Sequence, residues 1–186
     1  MRAQILKRTL SSFAQLMLIV LAATAEQAPG AQVQGSSLVR LFKLDGTFSE
    51  ELPAKIRSDD KSKNPGFTLT SARLEAENMG SLTRLRAMLT IANSDAEQRI
   101  TEVEWRLDVY DASLRSVSAR VLQSDKINIY AGETAAASAK FGAVLPDRMI
   151  VLLQLTRVSF ADGSTWSASE ECSLGVDLTS VSCKSK

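Results

Sequence analysis

Histidine is absent from the whole chain, which removes the commonest general base, the usual catalytic zinc ligand and every triad that works through imidazole. Carboxylate, hydroxyl, amine and thiol remain. Ser58-Asp59-Asp60-Lys61 has the spacing in which a lysine one helical turn away activates a serine for acyl transfer. Pro65-Gly66 follows at once in a polar stretch and neither S-D-N nor K-T-G occurs, so the match reads as chance. Glu102 and Glu104 would lie about 7 Å apart on one face of a strand, inside the range of glycosidase carboxylate pairs. Catalytic pairs flank a cleft and come from different elements, whereas these two alternate toward Arg106 on what reads as a solvated face. Asp59-Asp60 and Glu170-Glu171 lack the spacing of a calcium loop and read as solubilising charge. No catalytic residue, metal or cofactor is expected.

The two cysteines, Cys172 and Cys183, read as one disulfide if the chain is exported. Closing a loop of about 12 residues contributes roughly 3 kcal/mol in the chain-entropy model. Between them Leu174, Val176 and Leu178 alternate around Gly175, the pattern of a short strand laid against a larger body. Of the two tryptophans, Trp105 falls in register with core positions, while Trp166 is the candidate ligand-contacting aromatic, alone or with Tyr130 or Tyr110.

These groups must be positioned by the elements around them. Residues 1–25 have the order of a secretory signal: Arg2, Lys7 and Arg8, then an apolar run from Phe13 to Ala23 broken only by Gln15, then small residues that set cleavage between Ala25 and Glu26. The run is shorter than the roughly 20 residues that span a bilayer, so no membrane span is expected after cleavage, and the mature protein is placed in the periplasm or outside the cell. The chain's formal charge of +1 includes those three cations, which leaves the remainder slightly acidic with both signs interspersed. Nucleic acid is excluded as a partner, since it requires a basic stripe.

Residues 26–66 read as a flexible extension, with one possible strand at Leu38 to Leu44 and a charged, turn-forming stretch from Arg57 to Gly66. Residues 67–186 read as the folded domain. Leu85, Ala87, Leu89 and Ile91 alternate with polar residues, and Val103, Trp105, Leu107 and Val109 do so more cleanly. Val117, Ala119 and Val121 suggest another strand, and Ala135, Ala137, Ala139 and Phe141 a further inward face, although alanine's intrinsic preference makes a helix the rival there. Met149 to Leu155 is apolar on both faces except for Gln154, and runs through Val158 and Phe160 into an Asp162-Gly163 hairpin signal. About seven strands with turns every 8 to 12 residues predict an all-β, antiparallel immunoglobulin-like sandwich, preceded by the cleaved signal helix.

Leu107-Asp108-Val109-Tyr110-Asp111 resembles the signature of the FxLYD family of bacterial extracellular domains, with Leu107 where that family has Phe and Val109 where it has Leu. Ile91-Ala92-Asn93-Ser94 sits where the family has a strand ending in an Asn-rich turn, and Gly132-Glu133 where it has a Gly-Glu turn; the likeness covers Phe67 to Phe141. The resemblance implies an immunoglobulin-like sandwich at the cell envelope, without catalytic residues to carry over. The expected function is therefore a non-catalytic exported binding or structural module for an envelope or extracellular protein. A carbohydrate-binding module using Trp166 is the alternative, and a hydrolase built on the carboxylate pair ranks last. Neither oligomeric state nor partner identity is legible.

Overall fold

The computed structural model describes residues 38–57, 65–177 and 180–186. The signal, its Ala25-Glu26 junction and Ser58 to Lys61 lie outside them. The described residues form twelve strands and no helix: Val39–Asp45 (β1), Phe48–Leu52 (β2), Lys55–Arg57 (β3), Phe67–Met79 (β4), Leu82–Asn93 (β5), Ile100–Asp111 (β6), Ser116–Gln123 (β7), Thr134–Ala143 (β8), Arg148–Phe160 (β9), Thr165–Ser167 (β10), Glu170–Leu174 (β11) and Ser180–Ser185 (β12). They assemble into a large sheet ordered β2-β1-β9-β6-β7, with β10 added to the end of β9, and two three-stranded sheets, β4-β5-β8 and β11-β12-β3. Every pairing is antiparallel except β12 with β3.

The main core lies between the large sheet and β4-β5-β8. Leu85, Ala87, Leu89 and Ile91 of β5 meet Val103, Trp105, Leu107 and Val109 of β6, with Phe42, Leu44, Val151, Leu153 and Leu155 beside them. Both inward alternations hold, β5 with a wet outer face and β6 with an outer face that is wet at Glu102 to Arg106 and covered from Asp108 onward. The Ala-rich segment is the strand β8 rather than a helix; its small residues pair with Leu85 to Ile91 in register, and its inward face is closed by Ala137.

Two readings within the large sheet need correction. The folded body does not begin at Phe67: β1 enters the large sheet between β2 and β9, with Leu41 and Phe42 buried on opposite faces. That double burial is why the alternation of Leu38 to Leu44 looked imperfect. The second concerns β7, which is a strand as expected but with Val117 and Val121 exposed; Leu122 turns toward the core instead. These additions, and a C-terminal hairpin where one strand was expected, raise the strand count from about seven to twelve.

A second, smaller core lies on the other face of the large sheet, where Val39, Leu41, Ile150 and Leu152 pack against Cys172, Val181 and Cys183. The cover is the β11–β12 hairpin, with Cys172 paired directly to Cys183 and bonded to it. Val176 sits in the hairpin turn at 99% exposure, not on an inward face; Leu178 lies outside the described residues. At one end of the large sheet Phe160 N–H and Gly163 N–H close the Asp162-Gly163 turn, Gly163 taking the left-handed φ of 87° that the motif anticipates.

Trp105 is fully buried and its indole N–H meets no acceptor among the described residues. Trp105→Ala is expected to cost about 3 to 5 kcal/mol, and Trp105→Phe markedly less, because the ring volume largely survives and an unsatisfied donor leaves. Urea denaturation checks both; equal losses would mean that the indole N–H contributes. Reduction of Cys172–Cys183 is expected to loosen β11, β12 and β3 while β4 to β9 stay folded, since roughly 3 kcal/mol is large for a small outer layer and less than typical domain stability. Hydrogen exchange with and without reductant reads this directly: protection lost across Val103 to Val109 would show that the staple holds the whole fold.

Candidate functional site

Glu102 and Glu104 do stand side by side on the outer face of β6, but both are held by one guanidinium. Arg157 Nη2 lies 3.7 Å from Glu102 Oε1 and 3.2 Å from Glu104 Oε2. The Gln123 amide donates to Glu102, and Thr156 Oγ1 donates to Glu104 Oε1 at 3.2 Å. The arrangement clamps β6 to β7 and β9 and commits both carboxylates to contacts within the fold.

The three candidate aromatics do not form one row. Trp166 is half-buried with its ring against Phe67, centroids 5.0 Å apart at 82°. Tyr130 is exposed but carries Arg99 over its ring, 5.4 Å from the centroid. Tyr110 is half-buried and its hydroxyl accepts from Leu174 N–H at 3.4 Å; burial pushes its ionisation upward. On β9, Tyr110 pairs with Ile150 and Trp166 with Val158, about 26 Å apart along the strand by its rise per residue.

Around Tyr110 runs a polar seam that fastens the hairpin to the large sheet. Arg106 Nε meets Asp108 at 2.9 Å and its Nη1 reaches Glu171 of β11. Gln154, buried, donates to Glu170 O at 2.8 Å and accepts from Cys172 N–H at 3.1 Å. Burial raises the Asp108 carboxyl above its ordinary value, against the pull of the Arg106 guanidinium. The reading of Glu170-Glu171 as solubilising loop charge needs correction, since both lie on the strand β11, Glu170 buried and Glu171 paired with Arg106; the seam was missed because Arg106 and Asp108 alternate like any wet face.

The open site is elsewhere. A cavity of about 610 Å³ lies beside β4. Its lining joins inward-facing Leu74 and Ala76 to outward-facing Arg73, Glu75 and Glu77 of the same strand, so it wraps over β4, which is an edge of its sheet. Phe42 and Phe48 of the β1–β2 hairpin form the apolar wall, Phe48 being 66% exposed. Arg84 and Arg86 of β5 and Lys140 of β8 form the cationic one.

Two of these cations are paired: Arg73 Nε with Glu75 Oε1 at 3.3 Å and Arg84 Nη1 with Glu77 Oε2 at 3.4 Å. Arg86 and Lys140 are direct cross-strand partners, and neither forms an ion pair among the described residues. The carboxylate opposite Arg86 on β4 is Glu75, already taken by Arg73. Arg86 Nε is buried without an acceptor among the described residues. No part of this groove was legible as a site, since its residues come from five strands and converge only through register. It holds contact groups, aromatic and cationic, rather than a nucleophile beside a base.

Comparison with known proteins finds no matching family model and no matching curated protein.

Arg106→Gln is expected to destabilise the fold by about 3 to 5 kcal/mol near neutral pH, the cost of leaving a buried carboxylate unpaired. The sign with pH follows from Asp108. Losing the cation raises its folded-state pKa further above the unfolded value, so the native state binds the proton more readily and the loss shrinks as pH falls through that raised value. Asp108→Asn in the same background should remove most of that pH dependence, leaving the smaller part carried by the more exposed Glu171. Denaturation at neutral and acid pH measures both, and a loss equal at the two would mean that Asp108 is not the group left behind.

Proposed function

We propose that this chain works outside the cytoplasm as a non-catalytic, immunoglobulin-like binding module for an envelope or extracellular protein. The groove over β4 carries the reading. An exposed phenylalanine and unneutralised cations beside a sheet edge that is unpaired among the described residues are recognition groups, suited to holding a partner by apolar contact, charge and main-chain pairing. The signal-like N-terminus and a bond between the chain's two cysteines are compatible with an oxidising compartment. The two sheets facing across the main core are compatible with an immunoglobulin-like domain, and the FxLYD-type membership rests on the Leu107 to Asp111 motif.

Cell fractionation and capture on immobilised mature protein test the proposal together. The protein is expected in the extracytoplasmic fraction, retaining a specific envelope protein, with retention falling at least tenfold for Phe48→Ala. Phe48 is exposed, so the variant should fold normally. A cytoplasmic location, or a hydrolytic turnover abolished by changing one acidic residue, would overturn it.

A further inference from the structure

The pairing of Arg86 with Lys140 is a mismatch that the fold leaves unresolved. In an antiparallel pair, directly opposite side chains have Cβ atoms about 5 Å apart, and like charges there repel. Glu75 stands on the third strand of that row but binds Arg73, and Glu77 binds Arg84 in the next row. The row thus reads carboxylate, guanidinium, ammonium, with the carboxylate committed elsewhere. One more negative charge placed between Arg86 and Lys140 would neutralise the repulsion and meet a guanidinium fork shaped for a carboxylate.

The same groove continues over β4, a thirteen-residue strand that pairs among the described residues on one side only, with β5, and whose Leu69 carbonyl alone is seen to accept from Arg40 of β1. An edge of that length offers unpaired main-chain groups to an extended segment. Phe48 stands across the groove as an apolar contact. We propose that the groove binds an extended acidic peptide of the partner, laid along the β4 edge with a carboxylate between Arg86 and Lys140 and an apolar side chain on Phe48. The proposal rests on the binding-module reading and names the chemistry the partner must bring. A free anion would use only the cation pair; a peptide uses the edge and the aromatic as well.

Three probes separate these cases: an acetylated, amidated peptide of alternating Glu and Val, its counterpart of alternating Lys and Val, and free glutamate. Titration calorimetry on the mature protein is expected to show the acidic peptide binding at least tenfold more tightly than either comparator, weakening as salt rises. The double substitution R86Q/K140Q should reduce that affinity at least tenfold. Its melting temperature without ligand should be unchanged or higher, since a repulsion is removed, and this control keeps a lost fold from passing as a lost site. Hydrogen exchange should show new protection in β4 when the acidic peptide is bound.

Equal binding of the Glu and Lys peptides, or affinity surviving R86Q/K140Q, overturns the proposal. Binding of glutamate as tight as the peptide, or no added protection in β4, overturns the edge-pairing part and leaves an anion pocket. A captured envelope partner whose retention needs Phe48 but not the two cations would sustain the binding-module reading and remove this site from it.

Discussion

Seven consecutive residues of β9, Met149 to Leu155, are buried, and the rest of the structure is arranged to permit it. A strand with one wet face buries alternate residues; burying every residue requires a layer on each side. β4-β5-β8 covers one face. The other would leave Val39, Leu41, Ile150 and Leu152 in water, at about 1.5 to 3 kcal/mol for each large aliphatic side chain. The chain covers them with the β11–β12 hairpin and the three-residue β3. So small a layer is held by more than its own area: by the Cys172–Cys183 bond, and by Gln154, the one polar residue in the buried run, whose amide pairs at both ends with the backbone of β11. Gln154 behaves there as a substitute for strand pairing.

How legible an element is in the sequence depends on how many of its faces are covered. β5 and β6 show period two and their inward residues read correctly, though Asp108, on the outer side of β6, is buried beneath the hairpin contact rather than solvated. β9 also reads correctly, as an apolar run, because its length and β-branched content make a strand of it. β1 has the same double burial in a shorter segment, where Arg40 and Lys43 interrupt the run, and it looked like part of an extension. β7 fails differently. Its apolar residues Val117 and Val121 face out while Leu122 faces in, because the register with β6 sets Val121 opposite Arg106 and Leu122 opposite Trp105. The same limit applies to Val176, placed in a turn by the Gly175 N–H bond to Ser180 O.

The sites divide along the same line. The disulfide was legible because two cysteines admit one pairing. The carboxylate pair was legible as a solvated outer-face pair, though not its clamp on Arg157, which arrives from 53 residues later in the chain by way of a bulge between Glu104 and Trp105. The groove was illegible. Arg84 and Arg86 could be assigned to a wet face, but the residues standing opposite them are fixed by the registers of β4 and β8, which local patterning does not determine.

Charge is used in opposite ways on the two outer faces. On β6 and β9, Arg106 and Arg157 are each shared between carboxylates and join neighbouring elements; that charge serves the fold. On β5 and β8 the register is set from the other side of the sheet, where Leu85, Ala87 and Leu89 must meet Phe141, Ala139 and Ala137 to fill the core. Sliding β8 by one residue would turn those apolar residues out to water. The outer face receives whatever pairing that register imposes, and here it receives Arg86 against Lys140. A like-charge pair costs about 0.2 to 1 kcal/mol, far less than a slipped core, so the inner packing tolerates it. An unneutralised charge of that kind, beside an edge strand and an exposed aromatic, is what a fold can leave available for another molecule to complete.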